Sequence, residues 1–164
     1  MKRLSIIIVL LLTNTIYSQD FIEYKKTFKK SVITEMFKLV NKHRINPGSH
    51  PLIIDTTLFT FCLNHSKYIA FEGISTHFQE NTQNPHYTGY SPVDRTDSYC
   101  GENCGFTSVV YLTTPYDIAN EIFEIYKGSP DHNKNMLDTD YKYFGFDFVV
   151  TKNEAIYGTQ IFKF

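Results

Sequence analysis

Six histidines and one glutamate set between glycines are the side chains with which this chain can do chemistry. His43 and His50 flank a Pro-Gly turn, and His86 lies in a long polar connection. His65 sits among apolar residues at helical spacing and reads as a structural residue or the wall of a cleft. His77 and His132 differ by context. His77 closes Gly73-Ile74-Ser75-Thr76-His77, just past a helix end, where an exposed cleft can begin. His132 falls in the first turn of a helix opened by Ser129-Pro130. The positive helix end disfavours imidazolium, so a neutral ring is expected there. Neutral imidazole is the form that binds a metal ion or accepts a proton. Glu102 lies in Cys100-Gly101-Glu102-Asn103-Cys104-Gly105. Glycines on both sides permit an unusual backbone path, and the expectation is a turn that aims the carboxylate.

The cysteines are Cys62, Cys100 and Cys104. An odd count leaves at least one thiol over if pairing occurs within the chain. Cys100 and Cys104 can be bridged across a tight turn. They cannot be bridged along a straight strand, where their Cα atoms would lie ~13 Å apart. Cys62 reads equally well as a buried unpaired thiol. The Cys-x-x-x-Cys spacing is not that of a redox pair. There is no His-Glu-x-x-His motif of a standard zinc protease, and no Ser-His-Asp constellation can be inferred.

The elements that must position these groups follow from periodicity. Ile33, Met36, Phe37 and Val40 make one face of a helix from about residue 29 to residue 43, stopped by Asn46-Pro47-Gly48. Leu58, Cys62, His65 and Ile69 mark a second helix over about 57–71, with Gly73 as its C-cap. Residues 74–99 are polar and turn-rich, a length of connection that is usually functional or disordered. Thr114-Pro115-Tyr116-Asp117 opens a third helix with a capping-box pattern, and Ser129-Pro130-Asp131-His132 opens a short fourth one. Phe144, Phe146, Phe148 and Val150 then alternate with Gly145, Asp147 and Val149, and alternation resumes over 156–164. This predicts a terminal antiparallel hairpin packed on helices, an α+β fold rather than a parallel βαβ sheet.

Met1-Lys2-Arg3 followed by the apolar run Leu4–Leu12 and a small residue at Ser18 has the layout of a secretion signal. The run is too short to span a bilayer, which needs ~20 apolar residues. The expected organisation is a signal at 1–18, a polar lead-in at 19–32 and one domain at 33–164. Cleavage after residue 18 leaves 146 of the 164 residues, enough for one ordinary core. It removes Lys2 and Arg3 and no acidic residue, taking the formal charge from −1 to −3. No basic block exists that could track a phosphate backbone, so nucleic acid is not an expected partner. No second long apolar run exists, and the mature domain is expected to be secreted, periplasmic or extracellular.

Taken in order, these segments resemble the CAP superfamily, also called the SCP-like or TAPS domain, which includes cysteine-rich secretory proteins, antigen five and plant pathogenesis-related proteins. Leu39-Val40-Asn41-Lys42-His43-Arg44 with Gly48, Pro51-Leu52, Asp55 and Leu58 is similar to its opening, and Cys62–Ala70 to its second helix. Ser75-Thr76-His77 and Gly101-Glu102-Asn103 are similar to its first-histidine and Gly-Glu-Asn motifs. Residues Tyr126–Leu137 resemble the bacterial Trp-x-x-Ser-Pro-x-His stretch, and Tyr157–Phe162 the closing strand. The resemblance implies an α-β-α sandwich with a three-stranded antiparallel sheet between helical layers. It also implies a cleft of two histidines and two acids, in which His77, Glu102 and His132 take three places. The second glutamate of animal and plant members falls on Ser129, and the tryptophan on Tyr126. Glu121 and Glu124 lie a turn or more away, so the fourth cleft acid is unassigned.

Two imidazoles and a carboxylate with an open position also form a zinc pattern, and the resemblance implies a divalent-metal site at His77 and His132 in some members. The leading expectation is a secreted binding module. Its cleft, metal-loaded or not, engages a lipid, polysaccharide or protein. The alternative is a metal-dependent hydrolase: zinc on the two histidines would lower the pKa of a bound water and Glu102 would act as the catalytic base. The missing second glutamate places binding ahead of catalysis. A third reading gives the polar cleft only a supporting role through its hydrogen bonds.

Overall fold

The computed structural model describes residues 21–45, 47–108 and 114–164. The secretion signal expected at 1–18 lies outside the described residues. Helix α1 (Lys26–Ile45) starts earlier than the sequence implied, inside the polar lead-in, because Phe28 and Val32 extend the apolar stripe of Ile33, Met36 and Val40 by one more turn. Helix α2 (Leu58–Glu72) ends as expected at Gly73, left-handed at φ 68°. Helix α3 (Pro92–Thr96) lies within the long connection. Helices α4 (Pro115–Gly128) and α5 (Pro130–Leu137) follow. The capping box at Thr114 and Asp117 is formed.

The strands are β1 (Ile53–Ile54), β2 (Gly101–Ser108), β3 (Tyr143–Val150) and β4 (Ala155–Lys163), in sheet order β1-β3-β4-β2. The expected three-stranded antiparallel sheet is therefore corrected to a four-stranded mixed one. β2, β4 and β3 run antiparallel, and β1 adds a parallel edge to β3. Two residues are too few to show a period-two pattern, which is why β1 left no signal in the sequence.

The alternation along β3 sorts the two helical layers. Phe144, Phe146, Phe148 and Val150 enter the larger core with α1, α4 and Met136 of α5. Val149 faces the opposite layer, packing with Tyr68, Ile69 and Ala70 of α2, with Cys104 and with Tyr157. Gly145 lies on this second face because a Cβ there would collide with Leu58 Cβ.

Gly101–Ser108 is a strand and not the turn expected around Glu102. Its eight residues pair in register with β4, from Gly101 opposite Phe162 to Ser108 opposite Ala155. Its glycines serve packing rather than turning. A Cβ at Gly101 would meet the Tyr141 hydroxyl at 2.7 Å, and one at Gly105 would meet the Tyr126 ring at 3.2 Å. The strand also decides the cysteines. Extended backbone carries Cys100 and Cys104 beyond bridging distance, and Cys62, Cys100 and Cys104 are all free thiols.

Candidate functional site

β2 is an edge strand, so groups from both helical layers can reach round it. Successive side chains of a strand point to opposite faces. Glu102 and Cys104 share the face toward α2, while Asn103 points to the other.

Glu102 is buried and its two oxygens have different partners. Oε2 takes the Arg95 guanidinium at 2.5 Å, with both side chains 1% exposed. Oε1 lies 3.1 Å from His77 Nδ1 and 3.5 Å from His65 Nε2. Burial would push this carboxyl up. The hydrogen bond from His77, with the charge and hydrogen bond of Arg95, brings it below the usual carboxylate range instead. Arg95 also donates to the carbonyl oxygens of His77 at 3.0 Å and Tyr90 at 3.3 Å. It therefore holds both the Glu102 carboxylate and the backbone that carries His77.

Asn103 does the matching work on the other face. Its amide donates to the carbonyl of His132 at 3.0 Å and to Gln160 Oε1 at 2.9 Å, and its oxygen accepts from Asn135 at 2.9 Å. The Gly-Glu-Asn segment thus positions one histidine from each layer. The rings of His77 and His132 meet edge to face with centroids 6.1 Å apart. His132 also stands edge-on to Tyr126, 5.3 Å away, whose hydroxyl donates to the Gly158 carbonyl at 2.7 Å. His132 Nδ1 is buried without a hydrogen-bond partner.

The histidines titrate differently. His132 is lowered by burial and then by the charge of His77, which agrees with the neutral ring expected of it. His77 is raised to about 10 by hydrogen bonds to Cys104 and Glu102. His65 is lowered to about 4 by burial, and its neutral form is locked on both sides. Nε2 donates to the Thr76 carbonyl at 2.9 Å, and Nδ1 accepts from Gln79 at 3.0 Å. His65 is thus a structural residue behind Glu102.

These shifts predict a stability maximum for metal-free protein near pH 6.5. The unfolded chain protonates His65 near 6.5 and the folded chain only near 4. Its contribution is therefore lost as pH falls through that window, at ~1 kcal/mol per pH unit. His77 has the opposite sign. Its folded value of about 10 lies above the unfolded one, so its contribution is complete below 6.5 and lost as pH rises toward 10. Urea melts in chelator should show both limbs, with His65→Gln flattening the acid limb and His77→Gln the alkaline one. A wild-type acid limb unchanged by His65→Gln contradicts this assignment.

The remaining residues singled out from sequence lie elsewhere. His43 Nε2 bonds Asn133 Oδ1 at 2.7 Å, joining α1 to α5, and His50 Nε2 bonds the Tyr141 carbonyl at 3.1 Å, joining two loops. His86 packs beside Phe21 and Phe71. Glu121 accepts from Thr107 at 3.4 Å and Glu124 pairs with Lys127. Among the described residues, Glu102 is the one carboxylate within ion-pair distance of a histidine.

Arg95 is the cluster member that sequence reasoning missed. A signal for its position was present. Ser91-Pro92-Val93-Asp94 repeats the helix-opening pattern of Thr114–Asp117, and its capping box is formed.

The sequence matches the model of the cysteine-rich secretory protein family, CAP, over residues 37–162. The chain belongs to this family. No curated protein matches it. Solved structures share the CAP fold. An outer surface protein from Borrelia burgdorferi superposes with a TM-score of 0.63 at 16% identity, covering 86% of this chain and 97% of that one. An extracellular protein containing an SCP domain from Bacillus anthracis gives 0.57 at 18% identity, over 82% of this chain and 40% of the other. NaASP2, solved with Zn2+, gives 0.55 at 12% identity, over 84% of this chain and 80% of that one.

The donor set fits a divalent ion of the zinc type. His77 is half-exposed, and one nitrogen of His132 lacks a partner. Donor atoms of Glu102 and Cys104 also lie within 4.8 Å of one another and of His65, whose own nitrogens are already bonded to Thr76 and Gln79. Nitrogen, sulfur and carboxylate donors suit zinc rather than calcium or magnesium. No described helix is long and apolar enough to cross a membrane.

Proposed function

We propose that this CAP domain is a secreted capture module. Its cleft, formed by His77, Glu102 and His132, holds a divalent metal ion on the two histidines and engages a lipid, polysaccharide or protein ligand outside the cell. The observation that carries this reading is the pair of imidazoles. Each is presented from a different helical layer, their rings lie 6.1 Å apart, and His132 Nδ1 has no protein partner. A buried polar atom without a partner costs about 1–3 kcal/mol, which an ion or ligand can recover. The zinc in NaASP2 and the outer-surface and extracellular descriptions of the other neighbours support the same reading. The 1–18 signal adds the route of export, so the mature chain is expected to begin after Ser18 or Gln19.

Capture is favoured over hydrolysis by the state of Glu102. A catalytic base must have an oxygen free to take a proton from water. Here Arg95 takes one oxygen, and the other is shared by His77 and His65 in a position 1% exposed. When bound, the metal would offer an open coordination position to a ligand donor. Around it, Arg95 and Asn103 hold the two histidine-bearing segments in place.

Calorimetric zinc titration tests the proposal. Wild-type protein should bind one equivalent at micromolar or tighter affinity. His77→Ala and His132→Ala should each weaken binding at least tenfold, with urea melts showing that the variants are folded. No heat at micromolar zinc would overturn the metal-loaded cleft. Turnover in a broad peptide and ester panel, lost in Glu102→Gln, would overturn capture in favour of the hydrolase.

A further inference from the structure

Cys104 is the cluster member that the capture reading leaves without a task. It follows Glu102 by two residues on β2, so the strand's period puts both side chains on one face. Cys104 Sγ lies 3.6 Å from His77 Nδ1, and Glu102 Oε1 lies 3.1 Å from the same nitrogen. These separations have the size of the edges of a tetrahedral donor set. Zinc–nitrogen bonds of ~2.0–2.1 Å and zinc–sulfur bonds of ~2.3 Å require a nitrogen–sulfur edge of about 3.6 Å and a nitrogen–oxygen edge of about 3.4 Å.

The neighbours leave this sulfur available. The thiol donates to the Thr76 carbonyl at 3.4 Å and lies 3.8 Å from the Ser75 hydroxyl, besides His77 itself, and the proton that Thr76 accepts is the one a metal would displace. His65, although close, has both ring nitrogens committed to Thr76 and Gln79. Facing His77 Nδ1 are the Cys104 sulfur and the Glu102 Oε1 already bonded to it, while Glu102 Oε2 stays with Arg95. Cys104 is 2% exposed while the His77 side chain is 42% exposed, so an ion reaches the sulfur past the imidazole.

We infer that Cys104 adds a sulfur ligand to the ion held at His77, with Glu102 as the adjoining carboxylate. The inference rests on the reading that His77 holds an ion. It adds a selectivity: a thiolate donor favours zinc, cadmium and copper(I) over magnesium, calcium and manganese. Metal binding releases the thiol proton to the buffer, as it does for cysteine ligands in general. Neither other cysteine substitutes. Cys62 packs with Leu58 and Ile161 beneath α2, and Cys100 faces Thr96.

Cobalt(II) titration followed by absorption is the test, because a sulfur ligand gives a near-ultraviolet charge-transfer band that histidine and carboxylate do not. The expected result is a band at one equivalent in wild type and in the double variant Cys62→Ala/Cys100→Ala, where Cys104 is the one remaining thiol. The band should vanish in Cys104→Ser, with zinc affinity at least tenfold weaker. If Cys104→Ser does not fold, the double variant still decides the matter. Cobalt binding without the band, or a band lost in the double variant, overturns the sulfur ligand and leaves the histidine site standing. No cobalt or zinc binding in wild type overturns both.

Discussion

Arg95→Leu is expected to destabilise the protein by about 3–5 kcal/mol, the cost of leaving one member of a buried ion pair uncompensated. Both members of the Arg95–Glu102 pair are 1% exposed. Without the guanidinium, burial pushes the Glu102 carboxyl up, opposed by the bond from half-exposed His77. The Tyr90 and His77 carbonyls lose a donor in the same step. The loss should therefore be largest near neutral pH and shrink in acid, where Glu102 can be neutral in the variant. Pairing the substitution with Glu102→Leu should recover part of the stability, because no charge is then stranded. Urea melts of the wild type, both single variants and the double variant measure this directly. A loss under about 1 kcal/mol would show that the pair is not a support of the cleft.

Arg44→Met should cost at least as much, about 4 kcal/mol, and lower Tm by roughly 10 °C. Arg44 is fully buried and has no carboxylate in direct contact among the described residues. Its guanidinium is solvated by backbone instead. Nε donates to His50 O at 2.9 Å, one terminal nitrogen to Met136 O at 2.6 Å and Asp138 O at 2.8 Å, and the other to Tyr141 O at 3.4 Å. Burial lowers the guanidinium pKa, opposed by the charge of Asp138. Methionine fills much of the volume and supplies no donor, so four carbonyls lose this donor at once, and of them Tyr141 O keeps the bond from His50 Nε2. Three of those carbonyls lie at the end of α5 and on the way into β3. The helix that carries His132 should therefore loosen with the fold, and zinc affinity should fall in parallel with stability. Arg44→Lys keeps the charge and loses the fork that reaches several carbonyls, and an intermediate loss is expected. Thermal melts of both variants, with zinc titrations alongside, check the coupling. Unchanged zinc affinity in a destabilised Arg44→Met protein would uncouple this anchor from the site.

Much of the framework was legible because it is written in local spacing. Helical periodicity marked α1, α2 and α4, and a Pro-led cap marked α4 and α5. Strict alternation marked the terminal hairpin. His77 and His132 were legible as members of short motifs just after or within such an element, and Glu102 as the centre of Gly-Glu-Asn. The segment around Glu102 was not. Glycine, asparagine and cysteine over six residues look like a turn when read locally, and β4, more than fifty residues later, makes them a strand. The parallel edge β1 was equally silent, since two isoleucines carry no period.

Arg95 shows the same boundary from another side. Its helix start was legible, in the pattern already used for α4 and α5. Its partner was not, because nothing in the spacing between residues 95 and 102 says that both side chains are buried together.

By itself, then, the sequence determined most of the helices, the terminal hairpin and the family, and it singled out His77, Glu102 and His132, since these readings depend on residues within a turn or two of one another. Only the tertiary structure decided what those groups do to each other. It paired the buried Glu102 with Arg95, brought Cys104 to 3.6 Å from His77, and locked His65 out of the donor set. Each of these contacts joins different elements and depends on the register of β2 against β4 and on the layer each helix occupies. The physical reason is that side-chain electrostatics and donor geometry act through space, and the distances through space exist only once the sheet has set its order.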